Sequence, residues 1–165
     1  MIEDIRQQRV ADWARSDSKQ QDLDERYISL AQYVSAWSKD PSTKVGCVIV
    51  FGDVVLSTGV NGFPRGVNDD MPERLARPLK YKWSEHAERN AAYNAARTGT
   101  RLQGGVMYTS LFPCEDCARA IIQCGIAELV SIRPGDSDTD TRWAESFVIA
   151  SEMLQEAGVT VRFYA

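Results

Sequence analysis

The chain's single histidine lies in the tetrapeptide Glu85-His86-Ala87-Glu88, and two of its four cysteines lie downstream in Pro113-Cys114-Glu115-Asp116-Cys117. Written as a pattern this is H-x-E, then residues 89–112, then P-C-x-x-C. One imidazole and two thiolates make the donor set of a catalytic zinc site, in which three protein ligands leave the fourth position for water. Two thiolates cancel the charge of Zn²⁺, so such a water is less acidified than one beside three neutral imidazoles, and a nearby base has to help. Glu88, two residues from His86, is placed for that work. A closed structural site would need a fourth protein ligand, and Cys47 or Cys124 would have to provide it. Cys47 reads more simply as a small core residue in an apolar strand, and Cys124 as the end of a helix.

The elements that must hold these groups can be read from periodicity and punctuation. Residues 24–38 carry Tyr27, Leu30, Ala31, Val34 and Trp37 near helical spacing, and the helix should stop before Asp40-Pro41. VGCVIV (45–50) and VVLSTGV (54–60) read as a hairpin turning at Gly52. NGFPRG (61–66) is a loop, and 67–82 is irregular and rich in charge. Ser84 is the expected N-cap of a helix running to about Arg97. Strands are expected at 104–110, 127–133 and 159–165, and helices at 114–125 and from about Arg142 to Ala157. Both halves of the metal motif thus open helices, where cysteines at i and i+3 share a face and the helix dipole favours thiolates. The alternation of strands and helices predicts an α/β fold, a mixed sheet with helices on both faces.

Composition narrows the class. The chain has 165 residues, 44% of them apolar and 25% charged, with a net charge of −4. That suits one domain with a real core, and it disfavours nucleic acid as a partner, since duplex binding leans on a cationic face. No run approaches the roughly 20 apolar residues of a membrane span. The first residues have no apolar signal-peptide core, so the expected address is cytoplasmic and the thiols reduced or metal-bound. Residues 1–22 read as a polar N-terminal extension and 23–165 as a single zinc-dependent domain.

The pattern H-x-E…P-C-x-x-C is the known signature of zinc nucleobase deaminases, whose glutamate moves protons and does not bind metal. From about Tyr27 onward the chain resembles the deoxycytidylate (dCMP) deaminase family. The resemblance runs through SKDPSTKVGCVIV (38–50), NGFPRGV (61–67), EHAERNAAYNAA (85–96), YTSLFPCEDCARAIIQCGI (108–126) and EAGVTVRFY (156–164). It implies a cytidine-deaminase-like, three-layer α/β/α fold with a five-stranded mixed sheet. It also implies hydrolysis of dCMP to dUMP and ammonia, with His86, Cys114 and Cys117 on Zn²⁺ and Glu88 as proton shuttle. It further places Asn61 on the nucleoside sugar, the Ala87 N–H on the pyrimidine O2, and Ser38 and Lys39 near the phosphate. A homo-oligomer, often a hexamer, with dCTP activating and dTTP inhibiting is implied as well.

The chain departs from that family in several places. It has no spare histidine for a second zinc, and Arg89 replaces a customary leucine. RPGDSDTDTRW (133–143) replaces an aromatic-bearing segment, so that Trp143 is the candidate for the base-stacking contact. Arg65, Arg74, Arg77, Lys80, Lys82 and Arg89 crowd around the motif, as a solvated surface or as a phosphate or effector pocket. The aspartates Asp136, Asp138 and Asp140 lack the Gly and Glu of a calcium loop and read as a helix-capping loop, with Mg²⁺ beside a nucleotide effector the weaker reading. Two other functions stay open: deamination of another cytosine nucleotide, nucleoside or nucleic acid, and a zinc-stabilised domain that binds without catalysis.

Overall fold

The computed structural model describes residues 17–135 and 137–164. Helix α1 (Asp17–Ser35) is followed by strands β1 (Gly46–Phe51) and β2 (Val54–Val60). Two single-turn helices come next, α2 (Pro72–Leu75) and α3 (Lys80–Trp83), and then α4 (Ala87–Thr98). The remainder is β3 (Val106–Thr109), α5 (Glu115–Gln123), β4 (Glu128–Ile132), α6 (Asp138–Glu156) and β5 (Thr160–Tyr164).

The five strands form one sheet in the order β2-β1-β3-β4-β5. β1 runs antiparallel to both β2 and β3, while β3, β4 and β5 are parallel. Successive side chains on a strand face opposite sides of the sheet, and β1 uses both. Val48 and Val50 pack with Tyr27, Ile28, Ala31 and Val34 of α1. Cys47 and Ile49 pack on the other side with α4, α5 and α6 through Ala91, Ile121 and Leu154. The expected three-layer α/β/α arrangement follows, with α1 the helix packed on one face among the described residues.

Two glycines matter to this frame. Gly52 and the following Asp53 both have positive φ, 55° and 65°, which gives the tight hairpin whose twist matches its strands. At Gly59 a Cβ atom would lie 2.2 Å from the Ala87 carbonyl oxygen and 2.3 Å from the Ala91 nitrogen. β2 and α4 therefore touch backbone to backbone, and this contact seats the helix that carries Glu88.

Several boundaries differ from expectation. α1 already includes Asp17, so the expected boundary after residue 22 falls inside a helix; residues 1–16 lie outside the described residues. Ser84 does not cap α4. It follows α3, donating its N–H to the Lys80 carbonyl, and His86 occupies the N-cap position. α6 starts four residues before Arg142 because Ser137 caps it, its hydroxyl accepting from the Asp140 N–H. Asp136 lies outside the described residues. No helix among the described residues is long and apolar enough to cross a membrane.

Candidate metal centre and nucleotide pocket

His86 and Cys114 both sit at helix N-cap positions, of α4 and α5, and neither side chain caps its helix. Ser, Thr, Asp and Asn usually fill that place to satisfy free backbone N–H groups. Here the two side chains turn to each other. His86 Nδ1 lies 3.3 Å from Cys114 Sγ and 3.5 Å from Cys117 Sγ. All three ligand atoms lie within 4.8 Å of one another. Tetrahedral zinc with ordinary Zn–N and Zn–S bond lengths would set nitrogen and sulfur about 3.6 Å apart. The donors are thus spaced for zinc, and they are of the type zinc prefers.

The electrostatics agree with that use. A hydrogen bond from Cys117, reinforced by His86, holds the Cys114 thiol down at about 4. Cys117, which gives that bond and is fully buried, is pushed up. Glu88 is only 4% exposed, and burial raises its carboxyl above the usual range although His86 pulls it back. A carboxylate so placed accepts and releases protons nearer neutrality than a surface one does. Arg89, in the next position, pairs with Glu85 and Asp116 and so bridges the starts of α4 and α5.

His86, Glu88 and Cys114 line one cavity. Its apolar wall includes Phe112 and Trp143, and Trp143 meets the His86 ring edge to face. Asn61 and Ala87 line it too. The Asn61 amide is held on both sides: its Oδ1 accepts from the Val45 N–H, and its Nδ2 donates to the Thr43 carbonyl, each at 2.8 Å. Ala87 is the first residue of α4, and its N–H has no acceptor within the helix.

Ser38 and Lys39 do not line this cavity. Ser38 is buried, its hydroxyl donating to the Asn61 carbonyl, and Lys39 is exposed and paired with Asp69. Of the six expected cations, Arg77 and Lys80 line the cavity. Arg65 bonds Asn94, and Arg74 lies over the Trp83 ring. Sequence reasoning missed Asp40 and Arg142, which also line the cavity. Arg142 adjoins Trp143, and once α6 is known to begin at Asp138 both stand within its second turn. Cys47 is buried in the core, and all four cysteines are free thiols.

The model of the cytidine and deoxycytidylate deaminase zinc-binding region matches residues 21–132. The chain belongs to the cytidine and deoxycytidylate deaminase family. An uncharacterised deaminase from the luxG 3′ region of Aliivibrio fischeri is 39% identical over 136 residues, spanning 82% of this chain and 89% of its own length. The deoxycytidylate deaminase of Homo sapiens is 35% identical over 144 residues, 84% of this chain and 77% of that protein. Among solved structures, the dCMP deaminase of cyanophage S-TIM5 in complex with dCMP and dUMP superposes with a TM-score of 0.70 at 25% identity, covering 87% of this chain and 97% of the other. Residues 21–132 take in α4 and the start of α5, so the family match includes the whole metal motif.

Proposed function

We propose that this deaminase hydrolyses dCMP to dUMP and ammonia. The observation that carries the reading is the cluster of His86, Cys114 and Cys117, of which His86 and Cys114 line one cavity with the buried Glu88 and two arginines. His86 Nδ1 and the Cys114 and Cys117 Sγ atoms would hold zinc, which would supply the Lewis acidity that makes water a nucleophile. Glu88 takes a proton from the attacking water and delivers it to ring N3, then takes the remaining proton from the new C4 hydroxyl and gives it to the departing amine. Water adds, ammonia leaves, and a carbonyl remains at C4. The Ala87 N–H donates to the pyrimidine O2, and Asn61 contacts the sugar through the donor and acceptor capacity that its bonds to residues 43 and 45 leave over. Trp143 packs on the base.

At the phosphate end, Arg77 and Arg142 are the suitable cations, since a guanidinium matches a phosphate in a two-pronged contact. Lys39 serves at most the outer rim, and Ser38 acts by holding the Asn61 backbone. The reading includes a cytoplasmic homo-oligomer, which would cover the exposed, edge-packed pair Tyr33 on α1 and Trp37 in the turn after it.

The test is ammonia release by the zinc-loaded protein with dCMP, CMP, deoxycytidine, dCTP and a cytosine oligonucleotide, with and without dCTP and Mg²⁺ as effectors. Selective turnover of dCMP is the expected result. Turnover of the oligonucleotide alone would replace the reading with a nucleic-acid deaminase. Silence on every substrate would leave a zinc-stabilised binding domain.

A further inference from the structure

Lys80 is a cation in the cavity wall whose ammonium is already committed. It lies 2.9 and 3.1 Å from the two carboxylate oxygens of Asp40 and 2.6 Å from the Ser42 hydroxyl. The Lys80 and Asp40 side chains are 7% and 6% exposed. An ammonium has three protons to give, and these three contacts use them.

Asp40 in turn organises the loop it stands in. Its Oδ1 accepts from the backbone N–H groups of Ser42 and Thr43, at 2.8 and 3.0 Å, and from the Ser42 hydroxyl. The network continues from there to the substrate wall. The Thr43 carbonyl and the Val45 N–H grip the two ends of the Asn61 amide. The Ser38 hydroxyl accepts from the Asp40 N–H and donates to the Asn61 carbonyl. One residue on, Gly62 and Glu85 exchange both backbone hydrogen bonds, beside His86. Polar contacts therefore close a ring from α3 through loop 40–45 and Asn61 back to the start of α4.

We propose that Lys80 is a positioning residue for the deamination reaction: through Asp40 it fixes loop 40–45, and so the Asn61 side chain, and it does not bind the substrate phosphate. The inference rests on the dCMP deaminase reading. It leaves the phosphate to Arg77 and Arg142. A buried ion pair is a weak source of stability against apolar replacement, but removal of one partner strands the other charge out of water. Asparagine at position 40 would still accept from the Ser42 and Thr43 N–H groups while carrying no charge.

The experiment is a cycle of Lys80→Met, Asp40→Asn and the double variant in the zinc-loaded protein, with KM and kcat for dCMP and bound zinc measured for each. Lys80→Met should raise KM by about tenfold or more and lower kcat less, with zinc retained. The double variant should recover at least about fivefold of that loss, because no charge is left unpaired. A double variant with less recovery, or a Lys80→Met protein within about threefold of the parent KM, overturns the proposal.

If Lys80→Met fails to fold, Asp40→Asn decides alone. A phosphate ligand freed from its partner would leave KM unchanged or lower it, whereas a disordered loop raises it by about threefold or more. A parent protein that turns over no dCMP fails the underlying reading instead, before any variant is compared.

Discussion

The Trp143 ring stands edge to face against the imidazole of His86, with centroids 5.6 Å apart and planes at 86°. α6 thereby reaches across the cavity to the residue that opens α4. Trp143 also packs against Tyr81 at 6.0 Å, so an aromatic pair borders the cavity that His86 lines. Truncation of Trp143 to Ala should raise KM for dCMP by about tenfold, the scale of losing an aromatic platform under one base. Phe should restore most of the loss, and zinc content should not change in either variant. Steady-state kinetics with metal analysis checks this. An unchanged KM in the alanine variant would remove Trp143 from the substrate contacts.

Glu88 is buried beside the ligands without belonging to the group of His, Cys and acidic residues spaced to hold the ion. Glu88→Gln keeps the shape and loses the proton transfer. It should retain zinc and fold while kcat falls by about 10²-fold to 10⁴-fold. Substantial activity in a zinc-loaded Glu88→Gln protein would sink the proton-shuttle role.

Cys114 and Cys117 supply the two sulfurs, and α5 begins between them. Their replacement by Ser, one at a time, should lose metal and lower the thermal midpoint, and a strong chelator should destabilise the parent protein in the same way, since metal bound to the native state alone adds to its stability. Equal midpoints for parent and variants, with and without chelator, would mean that the site contributes nothing to folding.

Asp40 gives an acid-stability prediction. Burial would raise its carboxyl, but the Lys80 ammonium and the Thr43 and Ser42 N–H groups outweigh it and hold the group at about 2, below its ordinary 3.8. A carboxyl depressed on folding stabilises the native state above its unfolded value, and the contribution is lost as pH falls toward the folded value. From pH 4 to pH 2 the parent protein should lose about 2 kcal/mol through this group. Denaturant titrations over that range should show a shallower loss in Asp40→Asn, and parallel curves would count against the pair.

The candidate metal centre was legible in the sequence because its geometry is largely local. His86 and Glu88 share one helix start, and Cys114 and Cys117 stand three residues apart at another, so a short motif carries most of the arrangement. The strands were legible for a similar reason: apolar β-branched runs between Gly and Pro signals leave little choice of state. The start of α4 was not, because Ser84 has the right chemistry for a cap and only the packing of His86 against two distant thiols moves the helix start onward.

By itself, then, the sequence determined the α/β layering and marked His86, Cys114, Cys117 and Glu88 as the candidate site, since these follow from periodicity or from short motifs at two helix starts. Only the tertiary structure decided which charges line the cavity. Six cations near the motif looked alike, since nothing in local spacing says which partner each will find. Folding paired Lys80 with Asp40, 40 positions away, and Lys39 with Asp69, 30 positions away. The same folding brought Arg77 and Arg142, 65 positions apart, to one cavity. A cation's role depends on whether its charge is already met, and the partner that meets it is chosen by chain topology.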